Sequence, residues 1–350
     1  MEVKALKFGG LTAKRPIVQG GMGVGVSLSS LAGNVAKCGG VGTISGVHPG
    51  YREADFKENP FRANLRAIGN ELEKAKEIAS GGIIGFNFMT VMNHYEEYVK
   101  EAIAAGADFI VSGAGLPVNL AKYAAGTRAA ILPIVSSARA LKLIVKQWQR
   151  ADRLPDAVVV EGPLAGGHLG YPYGHLVDGT FDTLEDSLVD VVDYVRELEE
   201  KSGVKIPVVA GGGVRNHADM ERLMALGASG VQVGTKFVAT EECDAAPAFK
   251  QAYLRSREED VQLIESPVGL AARAIRNSFL EKVEKQGRIP VQRCYQCMNH
   301  CKQAETKYCI SQALIDAVQG REGLVFCGAN AYEIEKLSTV EKVMQELCGE

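Results

Sequence analysis

The stretch that decides the fold is residues 206–235, IPVVAGGGVRNHADMERLMALGASGVQVGT. It contains two short β-branched runs, Pro207 to Ala210 and Gly230 to Val233, separated by a helix-patterned segment from His217 to Leu226. The helical pattern ends at Leu226-Gly227-Ala228, where a glycine can take the left-handed conformation that caps a helix. A buried strand, a glycine turn, a helix and a second buried strand predict one βα unit of a parallel sheet.

The same alternation recurs along most of the chain. The candidate strands are Ile17 to Gly20, Val41 to Ser45, Ile83 to Phe88, Phe109 to Ser112, Ile131 to Val135, Ala157 to Glu161, Pro207 to Ala210 and Gly230 to Val233. The candidate helices between them are Ser29 to Lys37, Phe61 to Ala79, His94 to Ala105, Pro117 to Ala124, Ala138 to Trp148, Leu184 to Lys201 and His217 to Leu226. Eight such units predict an α/β fold of the (β/α)8 TIM-barrel type, with an open doubly wound sheet as the alternative because spacing does not prove closure.

The pattern loosens after the eighth strand. Residues 236–285 are predicted to be mostly helical, and two further helices are expected from Ile310 to Val318 and from Ser338 to Leu347. We therefore expect a barrel over residues 1–290 and a helical, cysteine-rich extension over residues 291–350.

Composition limits the classes of partner. The 350 residues are 46% hydrophobic and 23% charged, with a net charge of -3, so the chain lacks the basic excess typical of nucleic-acid binding. The N-terminus has no signal-peptide core, and no apolar run approaches the roughly 20 residues of a membrane span. We expect a cytoplasmic protein that acts on a small molecule, with no nucleic-acid or membrane partner. Phe8, Phe61 and the closing helix are candidates for a homodimer interface, which the sequence does not distinguish from core packing.

Glycine-rich loops follow several strands. In a barrel the active site lies at the carboxyl ends of the strands, and the loops after strands seven and eight are the usual phosphate site. Those loops are Gly211-Gly212-Gly213 and Gly234-Thr235, so a phosphorylated cofactor is predicted there. The loop after the first strand, Gly20-Gly21-Met22-Gly23, also lets backbone approach a flat or anionic ligand, although the loop taken alone slightly favours a tight turn.

His168 is the strongest catalytic candidate. It lies in Glu161-Gly162-Pro163-Leu164-Ala165-Gly166-Gly167-His168, directly after the sixth strand, and an imidazole can donate or accept a proton near neutral pH. The alternative is a loop histidine bonded to backbone. Asn87, near the end of the third strand, is a candidate ligand contact because a carboxamide both donates and accepts, although a turn-forming asparagine is equally consistent.

Four cysteines crowd the extension, at Cys294, Cys297, Cys301 and Cys309. Their close spacing suits a [4Fe-4S] cluster or a structural zinc, and the uneven gaps favour the cluster because zinc ribbons use paired knuckles. Unliganded reduced thiols are the third alternative.

These motifs together resemble the nitronate monooxygenase family, formerly called 2-nitropropane dioxygenase, which includes flavin-dependent enoyl-acyl carrier protein reductases. The motifs are Pro16-Ile17-Val18-Gln19-Gly20-Gly21-Met22, Gly85-Phe86-Asn87, Glu161-Gly162 with Ala165-Gly166-Gly167-His168, Pro207 to Gly213, and Val231-Gln232-Val233-Gly234-Thr235-Lys236-Phe237. The resemblance covers roughly residues 7–280.

The resemblance implies an FMN-binding barrel with His168 as the catalytic residue. It implies that Gly21 and Met22 lie against the isoalloxazine, that Asn87 contacts the flavin, and that Gly212, Gly213, Gly234 and Thr235 hold the phosphate. Gly20, Glu161, Gly167 and Gly211 complete the expected cofactor-binding set. The implied activity is flavin-dependent oxidation of alkyl nitronates. The alternatives are NAD(P)H-dependent reduction of an activated alkene such as an enoyl thioester, or a flavin-binding electron-transfer partner.

Overall fold

Eight parallel strands close into one barrel in the computed structural model, which describes residues 4–299 and 301–350. The strands are β1 (Ile17–Gln19), β2 (Val41–Ser45), β3 (Ile83–Met89), β4 (Phe109–Gly113), β5 (Ala130–Val135), β6 (Val158–Glu161), β7 (Val208–Gly211) and β8 (Gly230–Val233). Closure occurs where β8 pairs with β1, with Val231 opposite Ile17 and Val233 opposite Gln19. The barrel prediction is confirmed, and the open-sheet alternative is wrong.

Helices surround the barrel and continue into the C-terminal part. Those between the strands are Ser29–Lys37, Pro60–Ala79, Tyr95–Ala104, Leu120–Tyr123, Ala138–Trp148, Tyr173–Asp178, Leu184–Ser202 and His217–Ala225. Those after β8 are Thr235–Val238, Pro247–Arg255, Ser278–Gln286, Ile310–Val318 and Val340–Cys348. Short 3-10 helices occur at Gln149–Ala151, Glu258–Asp260 and Ala331–Glu333. No helix in the described part of the chain is long and apolar enough to cross a membrane.

The lower half of the barrel interior is filled with apolar side chains. Side chains alternate between the two faces of a strand, so Val159 on β6 points inward while Val158 and Val160 pack against the helices. A hairpin of Leu6–Phe8 and Leu11–Ala13 seals this end of the barrel. Phe8, a candidate for a dimer interface, is only 4% exposed and belongs to this interior cluster. It is therefore a core residue.

The segment over residues 236–285 departs from the mostly helical prediction. Val261–Glu265 and Ala271–Ile275 form an antiparallel pair, and Gly167–Leu169 adds a third strand beside Ala271–Ile275. Ala271–Ile275 reads AARAI, which favours a helix by composition, but every residue in it is buried. Tertiary packing outweighs local propensity here, as is common for short strands.

The C-terminal residues pack against the barrel. Helix Val340–Cys348 packs against helices Ser29–Lys37 and His217–Ala225. Tyr295 stacks on Phe56, with ring centroids 5.4 Å apart. The last helix therefore lies beside two barrel helices, and Tyr295 lies against the loop that follows β2.

Candidate functional site

The upper layer of the barrel interior forms the floor of a cavity of about 470 Å³. Along each strand every second side chain points into the barrel. Above the apolar layer, the next inward-pointing residue of each strand, or of the loop that directly follows it, therefore reaches the cavity floor. These residues are Gly20, Ser45, Asn87, Gly113, Ile134, Glu161, Gly211 and Gln232, and all eight line the cavity. The floor combines small, amide and carboxyl groups, in contrast to the aliphatic and aromatic layer beneath it.

Glycines bring the backbone close to this cavity. Gly212 and Gly213 have φ values of +104° and +87°, a region that side chains rarely adopt. Their N–H groups form no hydrogen bond within residues 4–299 and 301–350, so both are free to donate to a ligand. Backbone N–H groups displayed in this way form a concavity suited to an anion such as phosphate.

Gly21 is required by its neighbour Asn87. A Cβ atom at position 21 would lie 2.3 Å from Cβ of Asn87, which is closer than real Cβ contacts allow. The first glycine loop therefore packs directly on the amide that ends β3. This contact explains the glycine more specifically than a tight turn does.

Two carboxamides face the cavity without a partner. The side chains of Asn87 and Gln232 both line it, and neither forms a hydrogen bond to any described residue. A carboxamide offers both a donor and an acceptor, which suits a ring with adjacent N–H and C=O groups. Gln232 was missed as a site residue, although a glutamine inside the buried run Val231-Gln232-Val233 is a signal that sequence analysis can detect.

His168 lies in the three-stranded sheet at the mouth of the barrel. It pairs with Ala272, and its Nε2 lies 2.7 Å from Oγ of Ser266. The Phe326 ring packs edge-on against the imidazole at 5.0 Å. Burial lowers the pKa of His168 to about 4, so the imidazole is neutral at physiological pH. Ser266 and Phe326 were not identified from sequence, because they are 98 and 158 positions from His168 in the chain.

Glu161 ends β6 with its carboxyl group directed to the cavity. No hydrogen bond or ion pair to this carboxyl group forms within the described chain, and Tyr171 donates to the main-chain oxygen of Glu161 at 3.1 Å. Protein atoms surround the side chain although the cavity leaves it partly accessible. The resulting loss of hydration raises the pKa of Glu161 to about 8.

A second cavity, of about 910 Å³, adjoins the first. Four residues line both: Ala114, Ile134, Glu161 and His168. The outer wall of the second cavity includes Met298, Cys301 and Lys302 from the C-terminal part of the chain. We call the meeting point of the two cavities, defined by these four shared residues, the junction.

All the predicted catalytic and cofactor-binding residues meet at the first cavity. They are Gly20, Gly21, Met22, Asn87, Glu161, Gly167, His168, Gly211, Gly212, Gly213, Gly234 and Thr235. Thr235 Oγ1 also accepts a hydrogen bond from the N–H of Gly328, so the C-terminal segment contacts the predicted phosphate loop. Their roles toward a cofactor remain predictions.

The four clustered cysteines do not form a metal centre in the structure. Across residues 4–299 and 301–350, no group of three or more His, Cys, Asp or Glu side chains has the arrangement of a metal site. Cys294 is exposed, whereas Cys297 is enclosed by protein, which raises the pKa of its thiol to about 11. The predictions of an iron–sulfur cluster or zinc at Cys294, Cys297, Cys301 and Cys309 are not supported.

A closed barrel with a glycine-lined cavity at the carboxyl ends of its strands defines the class of cofactor-binding barrel enzymes. The nitronate monooxygenase family profile matches residues 4–350, and this chain belongs to that family, whose members are flavin-dependent oxidoreductases. A probable nitronate monooxygenase of Staphylococcus saprophyticus is 26% identical over 308 residues, covering 81% of this chain and 82% of the relative. One of Bacillus subtilis is 25% identical over 288 residues, covering 77% and 79%.

Solved structures agree on the fold. FabK from Thermotoga maritima superimposes with a TM-score of 0.72 at 23% identity, covering 96% of this chain and 92% of FabK. A nitroalkane oxidase from Streptomyces ansochromogenes gives a TM-score of 0.66 at 21% identity, covering 96% and 95%. At these identities the likeness concerns the architecture.

Proposed function

We propose that this protein binds FMN in the first cavity and oxidises alkyl nitronates, with molecular oxygen as the final electron acceptor. The observation that carries the proposal is the junction between the glycine-lined cavity and the second cavity. Here a neutral histidine lies beside a carboxyl group that has no partner among the described residues. A flavin in the first cavity can meet a substrate that arrives through the second.

The residues present fit FMN. The free N–H groups of Gly212 and Gly213 suit the phosphate, and the amides of Asn87 and Gln232 suit the polar edge of the ring. When bound, the flavin supplies the electron acceptor for the nitronate.

The protein side chains bind and orient the substrate. Ser266 Oγ accepts a hydrogen bond from the N–H of Val268 at 3.4 Å, which leaves its O–H to donate to Nε2 of His168. When the Ser266 O–H is the donor of this pair, the imidazole carries its proton on Nδ1, which can donate to an oxygen of the substrate. In the other tautomer Nε2–H donates to Ser266 Oγ, and Nδ1 can accept a proton from the substrate carbon if the substrate arrives as the neutral nitroalkane.

A second candidate activity is NAD(P)H-dependent reduction of an activated alkene such as an enoyl thioester. One observation favours it: the second cavity, at about 910 Å³, is much larger than a small alkyl nitronate needs.

The two activities can be separated by steady-state assays of the FMN-loaded protein. We expect oxygen consumption with an alkyl nitronate and no NADH or NADPH oxidation with an enoyl thioester. His168→Ala should lower nitronate turnover by about a hundredfold or more while FMN stays bound, because acid–base and polarising groups contribute effects of that size. NAD(P)H oxidation coupled to alkene loss, with no nitronate-dependent oxygen consumption, would replace the first proposal with the second.

A further inference from the structure

The junction controls what can pass from the second cavity to the first. Of its four residues, Ala114 and Ile134 are apolar, and only Glu161 and His168 carry ionisable side chains. A substrate that passes from the second cavity to a flavin in the first passes these two side chains. Since His168 is neutral at physiological pH, the charge of the junction depends on Glu161.

The cationic side chains in the cavity walls are already paired. Each lysine or arginine that lines either cavity in the described chain forms an ion pair with a carboxylate. The pairs are Arg215 with Asp219 and Glu333, Lys236 with Glu346, Lys302 with Glu305, and Lys307 with Glu265. None of them forms an ion pair with Glu161, and the nearby Tyr171 is uncharged because its pKa is raised to about 12.

An ionised Glu161 would therefore place an uncompensated negative charge at the junction. A nitronate is a planar anion whose charge lies on two oxygen atoms, so two like charges would meet in a partly dehydrated site. A protonated carboxyl group instead offers an O–H donor to an anionic oxygen, and such charge-assisted hydrogen bonds are the strong ones.

We propose that Glu161 selects the charge of the substrate: its protonated form donates a hydrogen bond to a planar anion, and its ionised form excludes that anion. The inference rests on the proposed nitronate oxidation and adds the protonation state in which the enzyme accepts its substrate. Glu161 is thereby a substrate-binding residue, in addition to its predicted contact with the cofactor.

The pH dependence follows from the direction of the pKa shift. Below pH 8 the carboxyl group is protonated and anion affinity is constant. Above pH 8 each further unit of pH lowers the protonated fraction, and with it anion affinity, by about tenfold. An unperturbed glutamate would already be ionised above about pH 5 and would give no such change.

Isobutyrate is a suitable probe because it presents a planar carboxylate in place of the nitronate and supplies no electrons to the flavin. We would measure its Kd for the FMN-loaded protein between pH 6 and pH 10 by calorimetry. For the wild type we expect a constant Kd up to about pH 8 and then a tenfold weakening per unit. For Glu161→Gln, whose amide stays uncharged and can still donate, we expect a Kd independent of pH. Glu77→Gln removes an exposed carboxylate from helix Pro60–Ala79 and should keep the wild-type profile.

The same pH profile in the wild type and in Glu161→Gln would overturn the inference, as would an absence of isobutyrate binding at pH 6. A measurement on the wild type alone covers the case in which Glu161→Gln does not fold: the infrared band of a protonated carboxyl group should disappear with a midpoint near pH 8. Its absence at pH 6 would equally overturn the inference. Failure of nitronate to reduce the flavin at any pH is a different result, which removes the proposed function itself.

Discussion

At the scale of single residues, Gly21 leaves the least room for a side chain among the glycines that line the first cavity. Gly21→Ala would place a methyl group 2.3 Å from Cβ and 2.8 Å from Nδ2 of Asn87, so the amide must move. We expect weaker FMN binding, by about tenfold or more, because loss of one well-placed hydrogen bond costs about 1 kcal/mol and the loop shifts as well. Fluorescence titration of the apoprotein with FMN measures this.

The matched control is Gly69→Ala. Gly69 lies inside helix Pro60–Ala79, and an added Cβ there meets no atom within 4 Å. This change should stabilise the protein by about 0.5–1 kcal/mol, because alanine is the better helix former, and should leave FMN affinity unchanged. Equal FMN affinity in both variants would show that the cavity does not need Gly21.

Ser266 is a positioning residue for His168. Ser266→Ala removes the hydroxyl 2.7 Å from Nε2 and frees the imidazole to take the other tautomer. We expect kcat for the nitronate to fall about tenfold, corresponding to one hydrogen bond, with KM and FMN content nearly constant. Ser266→Thr keeps the hydroxyl and should recover most of kcat. A loss of kcat that threonine does not restore, accompanied by a lower Tm, would indicate a purely structural serine.

At the scale of elements, helix Ser29–Lys37 begins without a cap from its own sequence. Asp244, far away in the chain, accepts hydrogen bonds from the N–H groups of Leu28, Ser30 and Leu31 at 2.8, 3.2 and 3.1 Å. Asp244→Ala should lower the free energy of unfolding by about 2–3 kcal/mol, because it leaves these partly buried donors unpaired. Denaturant unfolding measures this loss.

The comparison for this prediction is Asp186→Ala, which removes an exposed capping-box residue from helix Leu184–Ser202. We expect a cost of about 1 kcal/mol or less there. If both variants lose the same free energy of unfolding, Asp244 stabilises its helix no more than an exposed capping residue does.

The local sequence is sufficient to predict most strands and helices of the barrel. The bounds of β2 and β8 and of helices Ser29–Lys37 and Ala138–Trp148 match the predictions to the residue, because the flanking turns and apolar periods agree with the tertiary environment. The strand Ala271–Ile275 was missed because its identity depends on pairing with Gly167–Leu169, about a hundred positions earlier. Ser266, beside that strand, could not be recognised for the same reason.

At the scale of the whole molecule, the fold brings together groups that the chain keeps apart. The glycine loops were recognisable because barrels place ligands at the carboxyl ends of strands. The second cavity was not predictable, since its wall combines the loop after β5, the three-stranded sheet, Met298 and residues from 301–307. The environment that sets the protonation of Glu161 and His168 exists only after this packing.

We propose above that a flavin in the first cavity takes electrons from a nitronate at the junction. The most direct measurement is an anaerobic absorbance titration of the FMN-loaded protein with an alkyl nitronate at pH 7, with NADH and NADPH in separate cuvettes. We predict that the nitronate bleaches the flavin absorbance and that neither nicotinamide does. Bleaching by NADH or NADPH with no response to the nitronate would contradict the claim, as would failure of the protein to retain FMN.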